Sequence, residues 1–143
     1  MDSEPVTTAG LIPVLIVEDD EADAYLARAA FADNEMPVDL RHVMDGEEAL
    51  DYLRGREPYQ QAPWPRLILL DLNMPRMDGW GLLNELRADA RLREIPVVIF
   101  STSDAPEDIA RGRELGATDY IVKPMYMEEL NAAIKGLENL LGL

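Results

Sequence analysis

The chain has 143 residues, enough for one ordinary domain, and its 28 acidic against 13 basic side chains leave a formal charge of −15. That charge repels nucleic acid and anionic membrane surfaces, leaving cations and proteins as the natural partners. No cysteine is present, so disulfide and thiol chemistry are excluded; with an acidic start and no apolar run of membrane-spanning length, a cytoplasmic location is expected.

Residues 1–11 are small, polar and aperiodic and read as a flexible leader before a domain covering 12–143. Ile12 to Val17, interrupted only by Pro13, reads as a buried strand that ends in Glu18-Asp19-Asp20. Tyr25, Leu26, Ala29 and Ala30 then recur at helical spacing, with Asp20, Glu21 and Asp23 near that helix's positive N-terminal end. Val38, Leu40, His42 and Met44 alternate, as one face of a half-covered edge strand does. Asp45-Gly46-Glu47-Glu48 has capping-box spacing and opens a helix with Ala49, Leu50 and Leu53 inward.

Glu57 to Arg66 is a proline-rich loop carrying Tyr59 and Trp64, suited either to partner docking or to covering a sheet edge. Leu67 to Leu70 are four consecutive aliphatics, the pattern of a central parallel strand. Asp71 ends that run, and the chain breaks at Pro75 and turns at Asp78-Gly79. Leu82, Leu83 and Leu86 mark a third helix, and Pro96 opens a strand over Val97 to Phe100 that leads into Ser101-Thr102-Ser103. Asp104-Ala105-Pro106-Glu107 caps a fourth helix, weakened by Gly112 and stopped at Gly116. Tyr120 to Val122 is a short strand before Lys123-Pro124, and Leu130, Ile134, Leu137 and Leu141 form the stripe of a last helix.

Strand and helix thus alternate five times. That order predicts an α/β fold, a doubly wound five-stranded parallel sheet in the order 2-1-3-4-5 with helices on both faces. In such a sheet the residues just past the strands' carboxyl ends share one crevice. Glu18, Asp19 and Asp71 converge there, Ser101 arrives from the fourth strand, and Lys123 from the fifth. Two carboxylates about 4 Å apart repel by roughly 4 kcal/mol at an effective dielectric near 20, so three call for a cation. Oxygen-only ligands with room for water favour Mg²⁺, and the backbone carbonyl of Asn73 is a further candidate ligand. With a phosphoryl group added, every charge finds a counterpart. Asp71 is then the carboxylate nucleophile, the metal bridges carboxylate and phosphoryl oxygens, Lys123 supplies an ammonium and Ser101 a neutral donor.

From about residue 12 to 141 the chain resembles the receiver domain of two-component response regulators. The family's acidic pair falls on Glu18-Asp19, its phosphoacceptor on Asp71, its hydroxyl residue on Ser101, and its lysine, followed by a typically cis proline, on Lys123-Pro124. The stretch from Asp71 to Gly79, with the proline-rich loop before it, most resembles single-domain regulators serving phytochrome-type histidine kinases. The resemblance implies a phosphoacceptor that uses Mg²⁺, takes its phosphoryl group from a sensor histidine kinase and signals by protein contact, without being a turnover enzyme. It also implies a homodimer through the face of the fourth helix, fifth strand and fifth helix, and an inward-turning aromatic at Tyr120 coupled to Ser101. Packing at a strand edge explains Tyr120 equally well. Asn73 and Ser103 occupy positions that tune phosphate lifetime in the family. His42, the only histidine, lacks a second ligand and reads as an ordinary edge-strand residue.

Three other functions are compatible with parts of this pattern. A Mg²⁺-dependent phosphatase with an aspartyl nucleophile wants an acid two residues beyond it, where this chain has Asn73. A flavin-binding module wants a phosphate-cradling loop after the first strand, where three acids stand. The third is a receiver-like interaction module that works without phosphorylation.

Overall fold

The computed structural model describes residues 10–143, so the expected leader lies almost wholly outside the described residues. In chain order the elements are β1 (Ile12–Val17), α1 (Glu21–Asp33), β2 (Val38–Val43), α2 (Gly46–Leu53), β3 (Leu67–Leu70), α3 (Gly79–Ala88), β4 (Val97–Ser101), α4 (Pro106–Glu114), β5 (Asp119–Val122) and α5 (Met127–Lys135). The strands form one sheet ordered β2-β1-β3-β4-β5, every neighbouring pair parallel, as the alternating pattern predicts.

Successive strand residues point to opposite faces, and both faces are covered. Val14, Ile16, Leu67, Leu69, Val98 and Phe100 meet α1 and α5 through Ala27, Ala30, Leu130 and Ile134. Leu15, Val17, Ile68, Leu70, Val97 and Ile99 meet α2 and α3 through Leu50, Leu53, Leu82 and Leu86. Burying each large aliphatic side chain contributes roughly 1.5–3 kcal/mol, so the two layers fix the register of the central strands.

Two local expectations are corrected. The buried residues of α1 are Ala24, Ala27, Ala30 and Phe31, whereas Tyr25 is 69% exposed and Leu26 is 40% exposed. Small alanines let α1 pack closely, and that closeness outweighs the greater apolar area of Tyr25 and Leu26. In β2, Leu40 is buried as expected, but Val43 is buried in the opposite layer and Met44, just past the strand, is 36% exposed. Within the expected Asp104-to-Glu107 cap of α4, Ala105 is the N-cap and Pro106 takes the first helical position. The side chain that serves this turn is Ser103, whose Oγ accepts from the Ala105 amide (3.3 Å) and donates to Asp108 Oδ2 (2.6 Å).

The proline-rich loop covers α2. Tyr52 and Tyr59 pack at a tilt of 50° with centroids 5.2 Å apart, the Tyr59 hydroxyl donates to Glu48, and the Tyr52 hydroxyl donates to the Pro63 carbonyl at 3.0 Å. Trp64 stays half-exposed beneath the Arg91 guanidinium. No helix among the described residues is long and apolar enough to cross a membrane.

Candidate functional site

The ladder itself assembles the site. Val17 pairs with Leu70 and Ser101 with Val122, so each next residue emerges at one level of the sheet's C-terminal edge. Backbone bonds continue one step beyond the strands: Glu18 N–H donates to the Val43 carbonyl (3.0 Å), Asp71 N–H to Val17 (3.0 Å) and Lys123 N–H to Ser101 (2.7 Å). Hydrophobic register in the core thereby sets the positions of the charged residues above it.

Glu18, Asp19 and Asp71 each bring a carboxylate oxygen within 4.8 Å of the others, Asp19 from the exposed side and the other two from buried positions. Lys123 Nζ lies 2.8 Å from Glu18 Oε1, 2.8 Å from Asp23 Oδ2 and 3.6 Å from Asp71 Oδ1. Its contacts differ in quality. The one to Asp23 is an aligned hydrogen bond, whereas buried Glu18 Oε1 accepts no aligned hydrogen bond despite the short distance. At 2.8 Å the opposite charges still attract, but the lone pairs of Oε1 remain free for another electropositive group.

Burial, and then the neighbouring Asp71, pushes Glu18 up to about 8, against the pull of Lys123. Burial also raises Asp71, while Lys123, Glu18 and the Asn73 backbone amide pull it back. Lys123 is drawn down by burial, yet its hydrogen bond to Asp23, the close Glu18 carboxylate and the charge of Asp71 hold it above its ordinary value. Each buried acid is thus short of positive charge while the lysine has anions in excess. An oxygen-only donor set with an unsatisfied buried oxygen fits a hard divalent cation.

Ser101 is fully buried at the end of β4, and its Oγ accepts from the Ser103 amide at 3.1 Å. Tyr120 stands apart from the acids, packed against the α2–α3 layer with its hydroxyl donating to the Ser103 carbonyl at 2.8 Å. Asn73 is exposed just past Asp71. His42 Nε2 sits 2.6 Å from the Glu18 carbonyl and joins no metal-ligand cluster among the described residues. Asp20 caps α1 by accepting from the Ala22 amide at 2.8 Å. The cis peptide among the described residues is Glu57–Pro58, not the Lys123–Pro124 bond that the resemblance implies. A cavity of about 270 Å³ also lies away from the acids, running between α4 and β5 past Gly112 and Tyr120.

Two features escaped the sequence reading. Asp23 was assigned to the helix dipole, yet its place in the first turn of α1 also turns it toward Lys123. Arg76, in left-handed backbone at φ 62°, grips Asp45 with two hydrogen bonds of 2.8 and 2.9 Å. The acid four residues after Asp19 was the available signal for the first; the second had none.

A profile of the response regulator receiver domain matches residues 14–135. The response regulator Rcp1 of Synechocystis is 33% identical over 126 residues, covering 88% of this chain and 86% of that protein. Among solved structures, the phosphorylated cyanobacterial phytochrome response regulator RcpA superposes with a TM-score of 0.83 at 39% identity, covering 92% of this chain and 94% of that one. RPA3017, a response regulator in red light signalling of R. palustris, gives 0.84 at 38% identity, with 90% and 92% covered. A Mn²⁺-bound form of Rcp1 gives 0.77 at 32% identity, with 90% and 92% covered. With the profile spanning most of its length and these relatives covered nearly end to end, the chain belongs to the response regulator receiver domain family.

Proposed function

We propose that Asp71 accepts a phosphoryl group from a sensor histidine kinase, and that the chain signals through the changed shape of its α4-β5-α5 face. The observation that carries this reading is the company Asp71 keeps: buried, within 4.8 Å of Glu18 and Asp19, and with the Lys123 ammonium 3.6 Å away. An Asp71 carboxylate oxygen forms the new P–O bond, the P–N bond of a phosphohistidine breaks, and the proton-accepting imidazole leaves with the bonding pair.

Glu18, Asp19, Asp71 and the Asn73 carbonyl would hold a divalent ion, Mg²⁺ in the cell, which supplies positive charge where phosphoryl oxygens gather. Lys123 reaches one phosphoryl oxygen, and the Ser101 hydroxyl, freed from the Ser103 amide, reaches another. The Tyr120 ring and the Ser103 loop then report that movement to α4. The chain catalyses only its own phosphorylation and dephosphorylation.

Kinship with RcpA and with RPA3017 supports a kinase of the phytochrome type, and membership of the receiver domain family supports a cytoplasmic location. The apolar exposure of Val122 beside α4 supports pairing of two copies through the α4-β5-α5 face. The strongly negative chain has no nucleic-acid partner in this reading. A phytochrome-type kinase carrying labelled phosphohistidine should transfer its label to the wild type with Mg²⁺ and not to Asp71→Asn. Equal transfer to both would refute the assignment.

A further inference from the structure

Lys123 is almost enclosed, its side chain 11% exposed, and three carboxylates compete for its ammonium. Two of the three, Glu18 and Asp71, belong to the acidic cluster that fits a cation; Asp23 does not. Asp23 comes from α1 rather than from a strand end, and it alone makes an aligned hydrogen bond to Nζ. The ammonium is therefore anchored on the helix side of the pocket, leaning toward Glu18 and Asp71 without bonding squarely to either.

We infer that Asp23 is a positioning residue for phosphoryl transfer, which holds the Lys123 ammonium on the α1 side so that Glu18 and Asp71 are left for the cation. The inference rests on the phosphoacceptor reading. When the clustered acids turn their oxygens to a divalent ion, Lys123 loses two anionic partners and keeps Asp23. Three donors on the ammonium let it retain that bond and offer another to an incoming phosphoryl oxygen. Without Asp23, the anions left to Lys123 are the same two the cation needs, and the lysine becomes the cation's competitor.

A helix-start acid can also serve the helix dipole alone. Glu21, exposed in the same turn and not among the carboxylates paired with Lys123, separates the two roles because it carries the same charge without the bond. Mg²⁺ affinity is measured by calorimetry for wild type, Asp23→Asn, Glu21→Gln, Lys123→Ala and the Asp23→Asn/Lys123→Ala double variant, with a thermal melt of each. Asp23→Asn should weaken Mg²⁺ binding by about tenfold, as loss of an outer partner to a metal-site residue does. Glu21→Gln should change it by no more than roughly twofold, the scale of an exposed charge. In the Lys123→Ala background, Asp23→Asn should fall to the Glu21→Gln level, and Asp23→Glu alone should restore part of the affinity. A tenfold loss that persists without Lys123, or equal effects of Asp23→Asn and Glu21→Gln, would overturn the inference. Failure of the phosphoacceptor reading looks different: wild type would bind Mg²⁺ yet take no phosphoryl group from any donor.

Discussion

The hydroxyl of Tyr120 donates to the main-chain carbonyl of Ser103 at 2.8 Å, joining β5 to the segment between β4 and α4. Ser103 extends the link both ways, its amide to Ser101 Oγ at 3.1 Å and its hydroxyl to Asp108 in α4 at 2.6 Å. A pull on Ser101 at the site is therefore felt at the start of α4 through a single residue. Tyr120→Phe removes one hydrogen bond while keeping the ring, and should lower stability by about 1 kcal/mol. It should leave phosphoryl uptake intact but shrink the amide shifts of α4 on addition of Mg²⁺ and beryllofluoride. Shifts as large as those of the wild type would show that the hydroxyl plays no part in the coupling.

Gly79 opens α3 with its backbone pressed against the phosphoacceptor. A Cβ there would lie 2.3 Å from the Asp71 carbonyl oxygen and 2.8 Å from Leu72 Cα. Main-chain atoms cannot step aside as a side-chain tip can, so overpacking outweighs the roughly 1 kcal/mol that alanine gains in helix propensity. Gly79→Ala should destabilise by about 2 kcal/mol in urea unfolding and disturb Asp71 itself. An unchanged midpoint would mean that the loop is looser than its contacts indicate.

Arg76 and Asp45 carry opposite local costs. Arg76 sits in a left-handed conformation that costs a non-glycine residue roughly 1–2 kcal/mol, and its fork on Asp45 offsets this. Asp45 is nearly buried and also caps α2 through the Glu48 amide at 2.9 Å. Arg76→Gly should therefore change stability by less than about 1 kcal/mol, because lost pairing is balanced by released strain. Asp45→Ala removes cap and pair together and should cost about 2 kcal/mol. Denaturant melts of both variants test the ordering, and a larger loss in Arg76→Gly would reverse it.

Glu18 gives the cation-free protein a pH slope of definite sign. Its folded pKa, raised by burial to about 8 from 4.5, means that the folded state binds the proton more tightly. Its contribution to stability is full below about pH 4.5 and is lost as pH rises through 8. Lys123, held above its ordinary value, stays charged throughout this window and adds no slope. In chelator, wild type should lose stability between pH 5 and 8 relative to Glu18→Gln, by on the order of 2 kcal/mol. Parallel curves for the two proteins would contradict the assignment.

The fold and the strand-end residues were legible because one physical pattern marks both: aliphatic runs that stop at an acid, a hydroxyl or a lysine. Leu67 to Leu70 could be placed at the centre of the sheet since nothing but burial on both faces explains four aliphatics in a row. The face of α1 was legible at Ala30 and misread at Tyr25 and Leu26, because alanine scores weakly as apolar while its small size decides packing at Ala24 and Ala27. The cap of α4 lies where Asp104 to Glu107 put it, but the part of Ser103 was not legible, because its hydroxyl folds back into the turn from outside that stretch. Asp23–Lys123 and Asp45–Arg76 join residues far apart in the chain, and local periodicity carries no trace of such pairs.

The most direct test is the intact mass of the protein after incubation with Mg²⁺ and a small phosphodonor such as acetyl phosphate. Wild type should gain one phosphoryl group that survives acid and is lost in base, and Asp71→Asn should gain none. A wild type left unmodified, or an Asp71→Asn protein modified as fully as the wild type, would contradict the placement of phosphoryl chemistry at Asp71.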